Sequence, residues 1–149
     1  MKTLKLLVAL LLVANFAKAE VPAGDTVKWE FTAQTAIPHM GSSRSIIGSN
    51  YSIVYNGKTL NVYLPYFGRA YGGADIYSGK SPLDFTSKEF SIETKSLKKG
   101  GSLYVIHPKD NSEVLTLTLS AFDNGNADLD ISMTNRSNIS FYGNISTIK

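Results

Sequence analysis

Catalysis by a serine or cysteine nucleophile needs an oriented base, and the sequence offers two histidines for that role. His39 follows Pro38 in a stretch rich in Pro, Gly and Ser, and His107 precedes Pro108 at the end of an apolar run. The chain has no Cys, and none of its serines lies in a Gly-x-Ser-x-Gly turn. We interpret the two histidines as loop and turn residues and predict no catalytic residue.

Acidic residues suggest two other kinds of chemistry in the last third of the chain. Asp128 and Asp130 are two apart on one predicted strand, so they share its solvent face, as a carboxylate pair for glycoside hydrolysis could. Solubilising charges beside Ser and Thr explain the pair better. The stretch that begins at Asp123 has the composition of a calcium loop, but its alternate positions, Gly125 and Ala127, supply no side-chain ligand. We predict a hairpin turn there, with no metal site and no cofactor.

The segment LNVYLPYFGRAYGG, residues 60–73, gives the best case for a binding site. Flat rings beside an Arg and flexible Gly residues could stack on a sugar or peptide and form hydrogen bonds with it. The alternative is a structural corner, in which Pro65 ends a strand and the rings cover the open end of the sheet. The candidate ligand contacts are one residue on the outer face of the strand and four in or beyond the loop: Tyr63, Tyr66, Phe67, Arg69 and Tyr71.

The arginines in and around this segment need partners. Arg69 could bind a ligand, pair with a carboxylate such as Asp75, or bind backbone carbonyls. Arg44 and Arg136 are open to the same interpretations.

Alternating apolar and polar residues predict the strands that position the segment. VKWEFTA is predicted to be a half-buried strand with one apolar face, formed by Val27, Trp29, Phe31 and Ala33. The Pro, Gly and Ser residues of TAIPHMGSSRS, residues 35–45, predict a loop.

Asn56-Gly57 is a strong signal for a two-residue hairpin turn. Such a turn pairs Tyr55 with Lys58 and Tyr51 with Val62. The apolar residues of the two strands then share one face, as a sheet with one buried side requires.

A second hairpin is predicted in NSEVLTLTLSAFDNGNADLDISM, residues 111–133. A two-residue Asn-Gly turn would place polar residues opposite apolar ones. A three-residue loop, residues 123–125, instead matches Leu119 with Leu129 and Ala121 with Ala127, and it places a Gly where a left-handed residue is needed.

Further strands are predicted within residues 89–97, 102–107 and 138–148, and no helix is predicted after the N-terminal segment. The total is about seven to eight short strands in one all-β domain, residues 20–149. Antiparallel strands of this kind form a β-sandwich or a barrel, and the sequence leaves that choice open.

The first 19 residues have the pattern of a secretory signal peptide. Lys2 and Lys5 precede an apolar run from Leu6 to Phe16, and residues 17–19, Ala-Lys-Ala, form a cleavage site. An apolar run of 11 residues is too short to cross a bilayer, so no transmembrane segment is predicted in the mature chain. The absence of Cys excludes a lipoprotein, and we predict export to the periplasm or the cell exterior.

Cleavage of the signal changes the charge balance. The sequence has 15 basic and 12 acidic residues, and the predicted signal contains Lys2, Lys5 and Lys18, so 15 less 3 leaves 12 basic against 12 acidic residues. A neutral mature chain gives no reason to expect nucleic acid or an anionic membrane as a partner.

Three stretches resemble a known family: GSSRSIIGSNYSIVYNG (41–57), YLPYFGRAYGG (63–73) and NGNADLDISMTNRSNISFYGNI (124–145). They are similar to the exported Bacteroidetes domains called domain of unknown function 4251, in which a hairpin leads into Y-L-P-Y-F-G-R-A and an N-R-x-x-I-x-Y-x-G element closes the domain. The resemblance extends from about Ala33 to Ile148. It implies an all-β exported bacterial domain, and it brings no activity, cofactor or catalytic residue.

We therefore expect an exported β domain that binds a glycan, a peptide or a small amphiphile without catalysing a reaction. A barrel that encloses an apolar ligand is a second binding hypothesis. The alternatives are a hydrolase acting on polysaccharide or cell-wall material, and a purely structural or protein-interaction role.

Overall fold

The computed structural model describes residues 27–74 and 76–149. The predicted signal peptide, residues 1–19, lies outside these residues. Within them, no helix is long and apolar enough to cross a membrane. The strands are β1 (Trp29–Pro38), β2 (Arg44–Ser45), β3 (Ser52–Tyr55), β4 (Leu60–Tyr63), β5 (Asp84–Ser87), β6 (Phe90–Ser96), β7 (Ser102–Pro108), β8 (Val114–Ala121), β9 (Asn126–Met133) and β10 (Ile139–Thr147).

All ten strands belong to one antiparallel sheet in the order β5-β4-β3-β1-β10-β9-β8-β7-β6, with β2 beside β1. The two ends of this order, β5 and β6, are consecutive in the chain, and only Lys88 and Glu89 separate them. Because each neighbouring pair is antiparallel, β5 and β6 run in the same direction. They form two halves of one bent strand, the first paired with β4 and the second with β7.

The bent strand makes the sheet a nearly closed barrel. The all-β antiparallel class is thus confirmed, and of the two predicted architectures the chain adopts the barrel. Ten strands, less β2 and with β5 and β6 counted once, leave eight around the ring. Strands that are consecutive in the chain are neighbours in the ring. The pair β1 and β10, the first and last strands, closes the ring.

Side chains fill the inside of the barrel. Alternate residues of the strands point inward, as predicted for Trp29, Phe31 and Ala33, whereas Val27 is 55% exposed. A barrel of about eight strands has an interior just wide enough for side chains to fill, and here buried side chains occupy it. The largest fully buried side chains are Trp29, Phe31, Ile53, Leu60, Leu64, Leu83, Ile106, Leu117, Leu119, Leu129, Ile131 and Phe141.

The first strand is longer than its sequence pattern indicates. The loop predicted for residues 35–45 is wrong at both ends. β1 continues beside β10 to Pro38, and Arg44–Ser45 form β2, which pairs with β1. A β-bulge between Ala33 and Thr35 inserts one extra residue. The bulge breaks the alternation that marks a strand in the sequence. Ala36, beyond the bulge, is buried again.

The first hairpin has a different turn from the predicted one. Tyr55 pairs with Leu60, so the loop has four residues, 56–59, and the predicted pairing of Tyr55 with Lys58 is wrong. The side chain of Asn56 accepts hydrogen bonds from the backbone N–H of Lys58 (3.0 Å) and of Thr59 (2.7 Å). Because the register differs by two residues, the faces of the strands are still those predicted.

The second hairpin is the predicted one. Leu119 pairs with Leu129 and Ala121 with Ala127. Gly125 has a φ of 86°, the left-handed conformation for which glycine is suited.

Asp110 holds the bend between β5 and β6. Its carboxylate accepts hydrogen bonds from the buried hydroxyl of Ser87 and from the backbone N–H groups of Lys88 (2.8 Å) and Glu89 (3.2 Å). The Ser87 and Lys88 hydrogen bonds lower the pKa of Asp110 below its ordinary value, since they favour the charged form.

We expect Asp110→Asn to flatten the acid side of the stability profile. A lowered folded pKa contributes stability above the pKa of an unfolded Asp, about 3.9, and this contribution is lost as the pH falls through the folded pKa. Denaturant unfolding from about pH 6 to about pH 2.5 should show the two proteins converging in stability toward low pH. Parallel profiles would contradict the expectation. Asp84→Asn, at the exposed start of β5, is the matched control.

Candidate functional site

Four connections meet at one end of the barrel, which we call the loop end: residues 39–51, 64–83, 109–113 and 134–138. Backbone hydrogen bonds join them. The N–H of Tyr71 donates to the carbonyl of Asn135 (2.7 Å), and that of Thr134 donates to the carbonyl of Glu113 (2.8 Å). Segments far apart in the sequence are thus held together as one surface.

The aromatic segment is fastened to the β9–β10 connection through Tyr66. Its hydroxyl donates to the carbonyl of Ser137 (2.7 Å), and the carbonyl of Arg69 lies 3.1 Å away. The buried Ser137 Oγ accepts the N–H of Arg69 (2.9 Å), and the Ser137 N–H donates to the Arg69 carbonyl (2.9 Å). Burial raises the pKa of Tyr66. Tyr66 therefore has the structural role that the corner interpretation requires.

Two arginines cover ring faces of the segment. The Arg44 guanidinium lies 4.6 Å from the ring centre of Phe67, and that of Arg136 lies 5.5 Å from the ring centre of Tyr66. Arg136, whose side chain is 8% exposed, also forms an ion pair with Glu113 through Nε. The sequence did not show which groups these two arginines contact, and the structure shows that each forms a cation–π contact with a ring of the aromatic segment.

The predicted contact residues do not all lie in one place. Tyr66 and Phe67 are half-buried and line the same cleft. Tyr63 is exposed, and its ring centre is 5.2 Å from that of Tyr51. Tyr71 and Arg69 are exposed beyond that cleft. The predicted pairing of Arg69 with residue 75 falls outside the described residues.

A groove crosses the loop end beside the aromatic segment. One part is a cleft of about 510 Å³. A second cleft of about 360 Å³ shares four lining residues with it and continues toward β5 and the β7–β8 connection. We call the two together the loop-end groove. Its shared wall consists of Lys80, Ser81, Pro82 and Arg136, flanked by Tyr51, Tyr66, Phe67 and Ile76 on one side and by Asp84, Asn111 and Glu113 on the other.

Most charges in the groove are bound internally. Arg136 is paired with Glu113, and Asp110 is bound to the bend of β5 and β6. Within residues 27–74 and 76–149, Lys80 and Asp84 have no ion-pair partner. One positive and one negative group are thus available to a ligand, next to the exposed Ile76. No sequence signal marks these residues, because they lie in and beside a Ser-Gly-Lys-Ser-Pro stretch that has only the composition of a turn.

The other sequence candidates lie away from the groove. His107 is exposed, and its Nδ1 is 3.1 Å from the Thr116 hydroxyl. Asp128 and Asp130 point outward from β9; burial and then the charge of Asp130 raise the pKa of Asp128. Neither carboxylate lines the clefts described above. In the part of the chain that the structure describes, no group of three or more His, Cys, Asp or Glu could hold a metal ion.

Comparisons with known proteins agree on one family. The family model described as domain of unknown function (DUF4251) matches residues 23–145. The crystal structure of a DUF4251 family protein from Bacteroides eggerthii DSM 20697 is similar with a TM-score of 0.55 and 15% identity, over 80% of this chain and 79% of that chain. No curated protein matches the chain. At this identity the crystal structure supports a shared fold alone. The family model matches most of the length of this chain, and the chain therefore belongs to the DUF4251 family.

Proposed function

We propose that the protein is an exported, non-enzymatic binding module of the periplasm or cell surface that holds an extended peptide in the loop-end groove. The adjacency of the two clefts carries this proposal, since Lys80, Pro82 and Arg136 line both of them. Two adjoining open clefts suit an extended chain better than a compact ligand. Export is supported by the N-terminal sequence pattern.

The groups that face the groove fit the chemistry of a peptide. Phe67 and Ile76 offer apolar surface, and Lys80 and Asp84 offer charges of both signs. A peptide carries apolar side chains, both charges and backbone hydrogen-bonding groups. A sugar would need free ring faces for stacking, and Arg44 and Arg136 already cover faces of Phe67 and Tyr66, two of the four aromatic residues that line the groove.

No specific observation favours the hydrolase alternative. The carboxylate pair on β9 lies on the outer surface, where Asp130 accepts a hydrogen bond from the Ser140 hydroxyl. A hydrolytic site needs its carboxylates on either side of a bound substrate. The purely structural role is the outcome that remains if the groove binds nothing.

A peptide library tests the proposal. Purified protein is screened against immobilised random peptides, and the affinity for the best sequence is measured by fluorescence anisotropy. We expect Lys80→Ala and Ile76→Ala each to weaken binding at least about tenfold, which is about 1.4 kcal/mol. Both side chains are exposed, so the melting temperature should scarcely change.

Controls separate the groove from other surfaces. Tyr142→Ala and Lys58→Ala remove exposed side chains of similar kinds elsewhere on the barrel and should leave the affinity unchanged. Glycan retention without peptide retention on parallel arrays would assign a glycan to the groove only if Lys80→Ala and Ile76→Ala abolish that retention. If both groove variants bind the peptide with unchanged affinity, the peptide site lies elsewhere on the protein.

A further inference from the structure

The opposite end of the barrel, which we call the hairpin end, has a cleft of its own. Its volume is about 260 Å³, and its apolar wall is formed by Trp29, Tyr104, Phe122 and Ile145. None of these four residues lines the loop-end groove. The cleft lies where the loops after β6 and β8 approach the start of β1 and the end of β10.

Trp29 is the unusual member of this wall. Its side chain is 1% exposed, and the indole Nε1–H is fully buried without a hydrogen-bond acceptor in residues 27–74 and 76–149. A buried donor without a partner costs about 1–3 kcal/mol. Among the described residues, Trp29 Nε1 is the one buried side-chain nitrogen or oxygen that has no hydrogen-bond partner. Because Trp29 lines the cleft, the environment of its indole N–H depends on what the cleft holds.

Further polar groups surround the same cleft. The hydroxyls of Ser102, Tyr104, Ser146 and Thr147 form no hydrogen bond with the described residues, and neither does the exposed carboxylate of Asp123. Hydroxyls both donate and accept, whereas a carboxylate only accepts and repels an anion. The site therefore favours a neutral ligand that has several donors and acceptors and one apolar face.

We infer that the hairpin-end cleft binds a single neutral sugar residue. The sugar hydroxyls would donate to Asp123, and the C–H face of the sugar would pack on Tyr104 and Phe122, beside the buried indole of Trp29. The volume holds roughly nine waters at about 30 Å³ each, which is enough for one sugar ring. This inference is independent of the proposed peptide groove, which lies at the other end of the barrel.

The single tryptophan makes the test direct. Trp29 is the only Trp of the chain, so ¹⁵N-labelled protein gives one indole N–H resonance. Because Trp29 lines the cleft, titration with D-glucose, D-galactose or N-acetylglucosamine at millimolar concentration should shift that resonance, and the shift should saturate with at least one of them. We expect Asp123→Asn, which keeps the shape of the side chain, to raise the Kd at least tenfold. The matched control Asp130→Asn, on the outer face of β9, should leave the Kd unchanged.

Two results would overturn the inference: an equal Kd for Asp123→Asn, or no saturable shift with any sugar, including the case in which octanoate alone causes a shift. Peptide binding at the loop end is measured separately, so the two sites can fail independently.

Discussion

We expect Gly143→Ala to lower the free energy of unfolding by about 3 kcal/mol or more, although it adds only one methyl group. Gly143 lies in β10 between Ala33 of β1 and Ala127 of β9. A Cβ at this position would lie 1.9 Å from the carbonyl oxygen of Thr32 and 2.9 Å from its carbon. The clash is with backbone inside a paired ladder, so it cannot be relieved by turning a side chain.

Gly72→Ala is the matched control. A Cβ there meets nothing within 4 Å, and the residue is exposed in the aromatic segment. We expect its stability to stay within about 0.5 kcal/mol of the parent protein. Chemical denaturation of the three proteins measures the difference. A Gly143→Ala protein as stable as Gly72→Ala would mean that β1 and β10 do not approach as closely as described.

The second large effect is expected for Tyr66→Ala, with a loss of about 2–4 kcal/mol in the free energy of unfolding. The substitution removes a half-buried ring that packs on the core and is covered by Arg136. It also removes the hydroxyl that joins the aromatic segment to Ser137. Tyr66→Phe keeps the ring and should lose about 0.5–1.5 kcal/mol, the usual contribution of one hydrogen bond.

Tyr71→Ala tests whether the stability loss is specific to Tyr66 or follows from any substitution in the aromatic segment. Its side chain is 53% exposed, and its hydrogen bond to Asn135 comes from the backbone, which the substitution keeps. A change within about 0.5 kcal/mol is expected. Equal losses for Tyr66→Ala and Tyr71→Ala in thermal or chemical unfolding would count against the corner.

The local sequence pattern predicts which faces of two paired strands are buried when both strands lie close together in the chain. In the second hairpin, matching Leu119 with Leu129 leaves only one loop length, and that loop is observed. In the first hairpin, Asn56 binds two backbone N–H groups and extends the turn to four residues. Sequence pattern does not show such a side-chain contact, so the predicted register is wrong although the predicted buried face is right.

Other features of the fold have no local signal. The bulge after Ala33 interrupts the alternation, so the rest of β1 looks like loop. The four residues of β5, Asp84–Ser87, are too short to show a period. The barrel itself depends on pairing between β1 and β10, and alternation does not specify which distant strand is the partner.

The candidate site is predictable only in part for a similar reason. Composition marks Tyr66 and Phe67, which do line the groove. Their environment depends on residues far away in the chain: Arg136 covers Tyr66, and Glu113 holds Arg136. Spacing along the sequence contains no information about contacts of this kind.

Closure of the ring through β1 and β10 also orders the folding of the chain. The other neighbours in the ring are joined by a single connection each, whereas Trp29 and Thr147 pair across nearly the whole described chain. The entropy of closing so long a loop opposes this contact until the intervening strands are in place. Docking of the last strand on the first is therefore expected to come late. A nascent chain that lacks β10 exposes unpaired edges on both β1 and β9, and each edge is a template for pairing with a second copy.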